Sequence, residues 1–407
     1  MKRTKLAVIT SGFLPVPPAK GGAVENLLYN LVKRNEIEKK INFTIFSIYD
    51  KKAEQEAKKL KYTKIIFFKT NLIVKLFDRF IYILAKYILR KENSQSYRFI
   101  FQRLNYLNKV SKDLKRNDYD KVLLENHPTQ YLALKWRKNY KKYEGRYYYH
   151  CHNEFPSEYG CDKIIKNTEK IICVSKYIKS TLERYNIAEN KFVILRNGVD
   201  ENKFNHEMSE NERLEIRKNY NIKKDDIVLI YTGRIVPEKG VLELIKAFNQ
   251  INEKNLKLLI VGSALNAIKN KTLYEEKVEK EIDKNANIIF TGFIEYSYIS
   301  DVYKISDIAV LPSLWNDPAP LTIIESMRCG LAIITTKSGG IPEYASINCA
   351  TILDEKKENI IEKIKESITE LCNNEEKRRK MSLCSINESK KLDVRTYYSN
   401  FYDIINE

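Results

Sequence analysis

The 407-residue chain is most constrained by what it lacks. No run of eighteen apolar residues occurs, so no helix is expected to span a bilayer. Its basic start, MKRTKLAVIT, leads into an apolar stretch of strand length with no longer hydrophobic region and no small-residue cleavage site, so a secretory leader is not expected. Seven cysteines, at 151, 161, 173, 329, 349, 372 and 384, are odd in number and scattered, with no CxxC pair. That pattern excludes a disulfide framework and a zinc module, and fits reduced thiols in a cytoplasmic protein. No repeat of solenoid period and no low-complexity tract interrupts the chain.

What is present is apolar and basic. At 43% hydrophobic residues the chain has material for two cores of ordinary size. The net charge is +18, and it is concentrated. Between residues 51 and 146 there are 25 Lys and Arg against 9 Asp and Glu, an excess of 25 − 9 = 16. Within that region, residues 72–90 read LIVKLFDRFIYILAKYILR, a helical pattern in which Lys75, Arg79, Lys86 and Arg90 fall within an arc of about 60°. The pattern predicts a helix lying in a membrane interface; the alternative is a helix buried in the first domain that exposes one narrow charged stripe. A nucleic-acid surface is a third reading of the charge, but Phe77, Phe80 and Tyr82 belong to the apolar helical run and form no stacking platform in a basic groove.

Short apolar strands alternate with helical segments twice over. Strands are expected at 6–10, 43–48, 64–68, 121–124, 146–150, 170–174 and 192–195, then at 227–231, 257–261, 287–290, 308–311, 332–335 and 350–353. This is an α/β chain of two doubly wound parallel sheets. The expected division is a first domain over 1–205, a second over 206–385, and a closing helical segment over 386–407 that returns to the first domain.

Chemistry concentrates where strands end. Residues 311–330, LPSLWNDPAPLTIIESMRCG, place Asp317 in a loop, Pro320 at a helix start and Glu325 about one and a half turns into that helix. The free N–H groups of the helix end suit a phosphate, and the two carboxylates suit hydroxyls on either side of it. Residues 227–240, IVLIYTGRIVPEKG, send Arg234 and Lys239 from a strand's carboxyl end into the region where open sheets bind ligands, as a diphosphate clamp. In the first half, Gly21 and Gly22 precede a helix and allow close backbone approach to a ligand. The run YYYHCHNEFP ends another strand with His150, His152 and Asn153. The two histidines are taken to point to opposite faces of the strand, so a metal site is not expected, and His152 is taken to hydrogen-bond a substrate hydroxyl or phosphate.

The motifs GGAVE, HNEF, CVSKYIKSTL with ILRNGVDENKF, TGRIVPEKG, the Asp317 and Glu325 pair, and SGGIPEY occur in an order that resembles the family 4 glycosyltransferases of the two-domain GT-B fold, the kind found in bacterial capsule and spore-coat polysaccharide assembly. The resemblance implies two Rossmann-like domains facing across a cleft. It implies transfer of a hexose-type sugar from a nucleotide-diphosphate donor, with retention of configuration and with no metal or other cofactor, to a glycan or polyprenyl-diphosphate-linked acceptor at the cytoplasmic face of the membrane. Arg234 and Lys239 would hold the diphosphate. Asp317 would bind the donor sugar and Glu325 the ribose, with further donor contacts from Pro318, Ala319, Pro320, Leu321 and Thr322. His152 would approach the donor sugar, the Gly21-Gly22 pair would lie over the phosphates, and Glu25 and Asn153 would face the acceptor. Backbone starting at Phe293 and Ile294 would read the base, uridine being favoured over guanosine. Two departures from the family pattern stand out: Asp317 where Glu is usual, and Pro320 where Gly is common. Rival readings are an epimerase or phosphorylase on the same fold, or a non-catalytic basic protein.

Overall fold

The computed structural model describes residues 3–84, 99–204, 207–263, 272–354 and 357–407. The chain divides into two compact units, 1–196 with 397–407, and 197–396. The division comes ahead of the boundary expected at 205 and 206, residues that lie outside the described ones. Of the closing segment, residues 397–407 go with the first unit, while helix Glu375–Ser389 belongs to the second.

Every expected strand is present, each end within two residues of its expected position. In the first unit these are β1 (Thr4–Ile9), β2 (Ile41–Ile48), β3 (Thr63–Phe68), β4 (Lys121–Glu125), β5 (Tyr147–Cys151), β6 (Ile171–Cys173) and β7 (Phe192–Ile194). The second unit has β8 (Ile227–Thr232), β9 (Leu256–Val261), β10 (Ile288–Gly292), β11 (Ile308–Leu311), β12 (Ala332–Thr336) and β13 (Ala350–Leu353). The sheet orders are 3-2-1-4-5-6-7 and 10-9-8-11-12-13, with parallel pairing throughout. Parallel strands need helical crossovers, which cover both faces, so strands such as Ala332–Thr336 are buried along their whole length.

In each sheet the winding reverses at one place, between β1 and β4 and between β8 and β11. Crossover helices leave on opposite faces there, opening a crevice outside the carboxyl ends of the two strands. Glu25 lies in the first turn of the helix after β1, Glu125 closes β4, and the loops after β8 and β11 carry Lys239 and Asp317, so the topology brings the chemistry-bearing residues of each unit to its own switch point.

The basic helix differs from its expectation. It runs Leu72–Ile83, capped by the Asn71 side chain on Val74 N–H, and the continuation that would carry Lys86 and Arg90 lies outside the described residues. Over these residues its apolar side is exposed, Leu72 being 76%, Leu76 65% and Phe80 61% accessible, so the described part is not the buried helix of the alternative. Its one buried residue is polar. Asp78 accepts hydrogen bonds from the backbone N–H groups of Phe101 and Gln102, at 2.8 and 3.0 Å, and so caps helix Ile100–Arg116.

Candidate active site

In the second unit the chain at the ends of β8, β9, β11 and β12 is laced together. Gly233 N–H donates to Val261 C=O, and Leu314 N–H donates to Glu238 C=O at 2.9 Å. The Ser313 carbonyl accepts from the hydroxyls of Thr336 and Ser338, at 2.5 and 2.8 Å. This lacing sets Lys239, in the turn Pro237–Lys239, against Asp317, whose carboxylate accepts from the Lys239 ammonium. The Asp317 carbonyl in turn takes Gly340 N–H at 2.8 Å. Gly339, at φ +57°, leaves no space for a side chain: a Cβ there would lie 2.6 Å from the Asp317 carbonyl oxygen.

Helix Leu321–Arg328 starts one residue later than the first-turn placement of Pro320 implied, with Pro320 as its N-cap in extended conformation. The N–H groups of the first turn, around Leu321 and Thr322, have no side-chain cap. Asn197 Nδ2 holds the Ala319 carbonyl at 3.2 Å, fixing the loop that also contains Pro318. One and a half turns on, Glu325 is buried and accepts from two phenols, Tyr296 Oη at 2.8 Å and Tyr303 Oη at 3.1 Å. Burial raises its pKa, against the hydrogen bonds from the two tyrosines. Each oxygen retains lone-pair capacity after one tyrosine bond. Arg234 is exposed, and its carbonyl accepts from Tyr231 Oη. Phe293 is exposed and Ile294 half-buried. Tyr296 and Tyr303, which orient Glu325, were not anticipated.

In the first unit Gly22, at φ +108°, caps helix Ala23–Glu38, and a Cβ on it would stand 2.2 Å from Glu25 Oε2. Glu25 is buried over that helix start and accepts from Ser11 Oγ at 3.3 Å. Burial, reinforced by the nearby charge of Glu125, raises its carboxyl to about 6.

The histidines require a correction. Side chains alternate along a strand with a period of two, so residues 150 and 152 share a face and Cys151 takes the other. Both imidazoles are buried and converge on Glu125, the residue in register with His150 on the neighbouring strand. His152 Nε2 lies 2.6 Å from Glu125 Oε1, and His150 Nδ1 lies 3.0 Å from the same oxygen. Glu125 was missed because an acid closing an apolar strand reads as the strand's end. Burial alone would raise its carboxyl, but the imidazoles outweigh burial and hold it at about 2, while burial depresses His152 to about 4. Asn153 is exposed and donates to Asn126 Oδ1 at 2.8 Å.

The three potential ligand atoms of Glu125, His150 and His152 lie within 4.8 Å of one another. Two ligands of one tetrahedral zinc at about 2.0–2.1 Å would stand about 3.4 Å apart. The 2.6 Å separation is instead a short charge-assisted hydrogen bond. These groups make stability depend on pH. His152, and His127, lowered to about 3 by burial and by Arg103, bind fewer protons folded than unfolded. Their contribution is present above about pH 6.5 and is lost as pH falls toward their folded values. Glu25, raised, acts oppositely between the ordinary carboxylate value of 4.5 and about 6. Thermal midpoints should therefore drop on acidification from pH 7 to 5, and more steeply in Glu25→Gln. A flat profile would refute this.

Comparisons with known proteins bear on this arrangement. The family description "Glycosyltransferase Family 4" matches residues 75–203 and "Glycosyl transferases group 1" matches residues 212–384, together most of the chain, including Glu125, His150 and His152 in the first unit and the whole switch-point region of the second. The chain belongs to the family 4 glycosyltransferases. Relatives of this glycosyltransferase include the lipopolysaccharide 1,2-N-acetylglucosaminetransferase of Salmonella typhimurium, 31% identical over 201 residues, which are 48% of this chain and 50% of that protein. The chain thus matches about half the length of that relative. Spore coat protein SA of Bacillus subtilis is 26% identical over 95% of this chain and 94% of its own length. Among solved structures, HepE of Anabaena in complex with UDP and glucose superposes with a TM-score of 0.73 at 15% identity, covering 100% of both chains, which shows the GT-B fold.

Proposed function

We propose that this glycosyltransferase moves a hexose-type sugar from a nucleotide-diphosphate donor, UDP-linked, to a glycan or polyprenyl-diphosphate-linked acceptor in surface-polysaccharide assembly. The observation that carries the reading is the meeting of Lys239 and Asp317 beside the uncapped N-terminus of helix Leu321–Arg328, with Glu325 held inside the same helix. The relatives named above include a lipopolysaccharide sugar transferase and a spore-coat protein, and HepE was solved with UDP, which supports both the pathway class and the nucleotide.

On this reading the diphosphate lies against the helix N-terminus, with Arg234 and Lys239 as its cations, and no metal is needed to neutralise the departing nucleotide. Asp317 takes a sugar hydroxyl, Glu325 the ribose, and backbone near Phe293 and Ile294 the base. The bond from the anomeric carbon to the β-phosphate oxygen breaks. The acceptor oxygen bonds to that carbon from the same face, so configuration is retained, and its proton passes to the departing phosphate oxygen. Product analysis tests the proposal. Free UDP together with a new glycoside is expected; an altered sugar nucleotide without free UDP would mean an epimerase, and dependence on inorganic phosphate a phosphorylase. Binding itself should show as stabilisation of about 2.7 kcal/mol at 100 times the dissociation constant of the right donor, read by thermal shift across nucleotide sugars.

The exposed apolar side of Leu72–Ile83, next to Lys75 and Arg79, supports seating on an anionic membrane surface, the setting of a lipid-linked acceptor. Each cation near such a surface adds about 1 kcal/mol, which gives reversible attachment. Flotation should carry the protein with vesicles containing anionic lipid, and Phe77→Asp with Phe80→Asp should abolish this. Equal recovery with and without vesicles would refute membrane seating. No helix of the described residues is long and apolar enough to cross a membrane.

A further inference from the structure

We propose that Glu125 is a positioning residue of the transferase: its carboxylate takes the Nε2–H of His152 and thereby presents Nδ1 of that imidazole, as a hydrogen-bond acceptor, to a substrate hydroxyl. The inference rests on the reading that His152 meets substrate.

A neutral imidazole has one N–H and one lone pair, and the partner of one nitrogen decides the role of the other. Nε2 is 2.6 Å from an ionised, buried carboxylate oxygen, which can only accept, so Nε2 carries the proton and Nδ1 the lone pair. The carboxylate has strong reason to hold that N–H. Glu125 is 2% exposed, its Oε2 is buried with no hydrogen-bond partner, and His150 Nδ1, though 3.0 Å from Oε1, lacks hydrogen-bond alignment. His152 therefore supplies the aligned hydrogen bond that, together with the nearby His150 ring, offsets the cost of burying this charge, and releasing it would leave the carboxylate without an aligned donor. The His150 ring, 4.0 Å from that of His152 between centroids, packs beside it and restricts its rotation. The arrangement is built by topology: β4 and β5 pair in register, Glu125 opposite His150, and His152 follows on the same face as His150 just beyond the end of β5. A lone pair at Nδ1 accepts from a sugar hydroxyl and disfavours a phosphate oxygen, which also has only lone pairs. Of the two ligand chemistries open to His152 from sequence, the geometry thus selects the hydroxyl.

The test uses the full-length protein. The chain has four histidines, so two-bond imidazole ¹⁵N–¹H correlations assigned with His152→Gln resolve each tautomer. The expected result is His152 with Nε2 protonated and Nδ1 bare at pH 7, and loss of that fixed tautomer in Glu125→Gln. A wild-type His152 protonated at Nδ1, or a tautomer unaltered by Glu125→Gln, would overturn the proposal, as would a stoichiometric metal co-purifying with the protein and lost in the variant. In transfer assays Glu125→Gln should lower kcat about 10- to 100-fold, the usual scale for a group that orients a working side chain, with donor KM little changed. It should have no further effect in a His152→Ala background. Additive losses would mean that Glu125 acts elsewhere. If His152→Ala itself transfers sugar at the wild-type rate, the substrate reading of His152 fails while the tautomer result stands, so the two failures are distinguishable.

Discussion

Lys239→Ala is expected to lower sugar transfer by about two to three orders of magnitude at saturating donor, the typical loss when one preorganised charge facing a developing anion is removed. The magnitude follows from where the ammonium is held. Lys239 ends the short turn Pro237–Lys239, and its loop is tied to that of β11 through Leu314 N–H and Glu238 C=O, so the charge is in place before substrate arrives and needs little reorganisation during reaction. Its resting partner is Asp317, which the proposed mechanism assigns to a sugar hydroxyl. Donor binding would therefore redistribute an existing ion pair. Initial rates with the alanine variant, alongside a thermal melt to confirm folding, measure the effect. Near-wild-type turnover in a folded variant would remove Lys239 from the clamp.

Gly262→Ala is expected to destabilise the second unit by about 4 kcal/mol, a sum of overpacking and of backbone strain at a conformation nearly exclusive to glycine. Gly262 follows β9 at φ +147°, and a Cβ built on it would stand 1.8 Å from the Gly233 carbonyl oxygen and 2.9 Å from its carbon. Backbone cannot yield as a flexible side chain would. Gly233 follows β8 and leads to Arg234 and Lys239, so relief of the clash must move the clamp loop or part β8 from β9. For a unit of this size the midpoint should fall by roughly 8–16 °C in a calorimetric scan. A shift below a few degrees would mean that the approach of the two strand ends is looser than described. The contrast is Gly292, where a Cβ would meet nothing within 4 Å although φ is +69°. Alanine there should cost only the torsional penalty of about 1–2 kcal/mol.

Much of the fold was legible because its causes are local. Short apolar runs ended by Gly, Pro or polar residues gave all the strands, since a strand buried on both faces has little alternative composition. Pro320 and the Gly21-Gly22 pair marked helix starts for equally local reasons. The paired histidines were misplaced although their spacing held the answer: two residues apart on a strand is one face. The basic helix was foreseen by its pattern, but whether its apolar side was covered was not, because only neighbouring elements decide that. Its single buried side chain is Asp78, the residue a hydropathy pattern would expose, and it is buried because two free N–H groups of the next helix need an acceptor.

The partnerships at the candidate site depend on more distant parts of the chain. Lys239 and Asp317 are 78 positions apart and meet because β8 pairs with β11. Glu125 and His152 are 27 apart and meet because β4 pairs with β5 in register. Amino-acid order alone determined the number and order of the described strands, the ends at which functional side chains emerge, and the family motifs, since propensity and periodicity act over a few residues. Tertiary structure alone decided which acid holds which base, which phenols hold Glu325, and which nitrogen of His152 faces Glu125. Those choices depend on strand order and register, and burial across the whole sheet selects them.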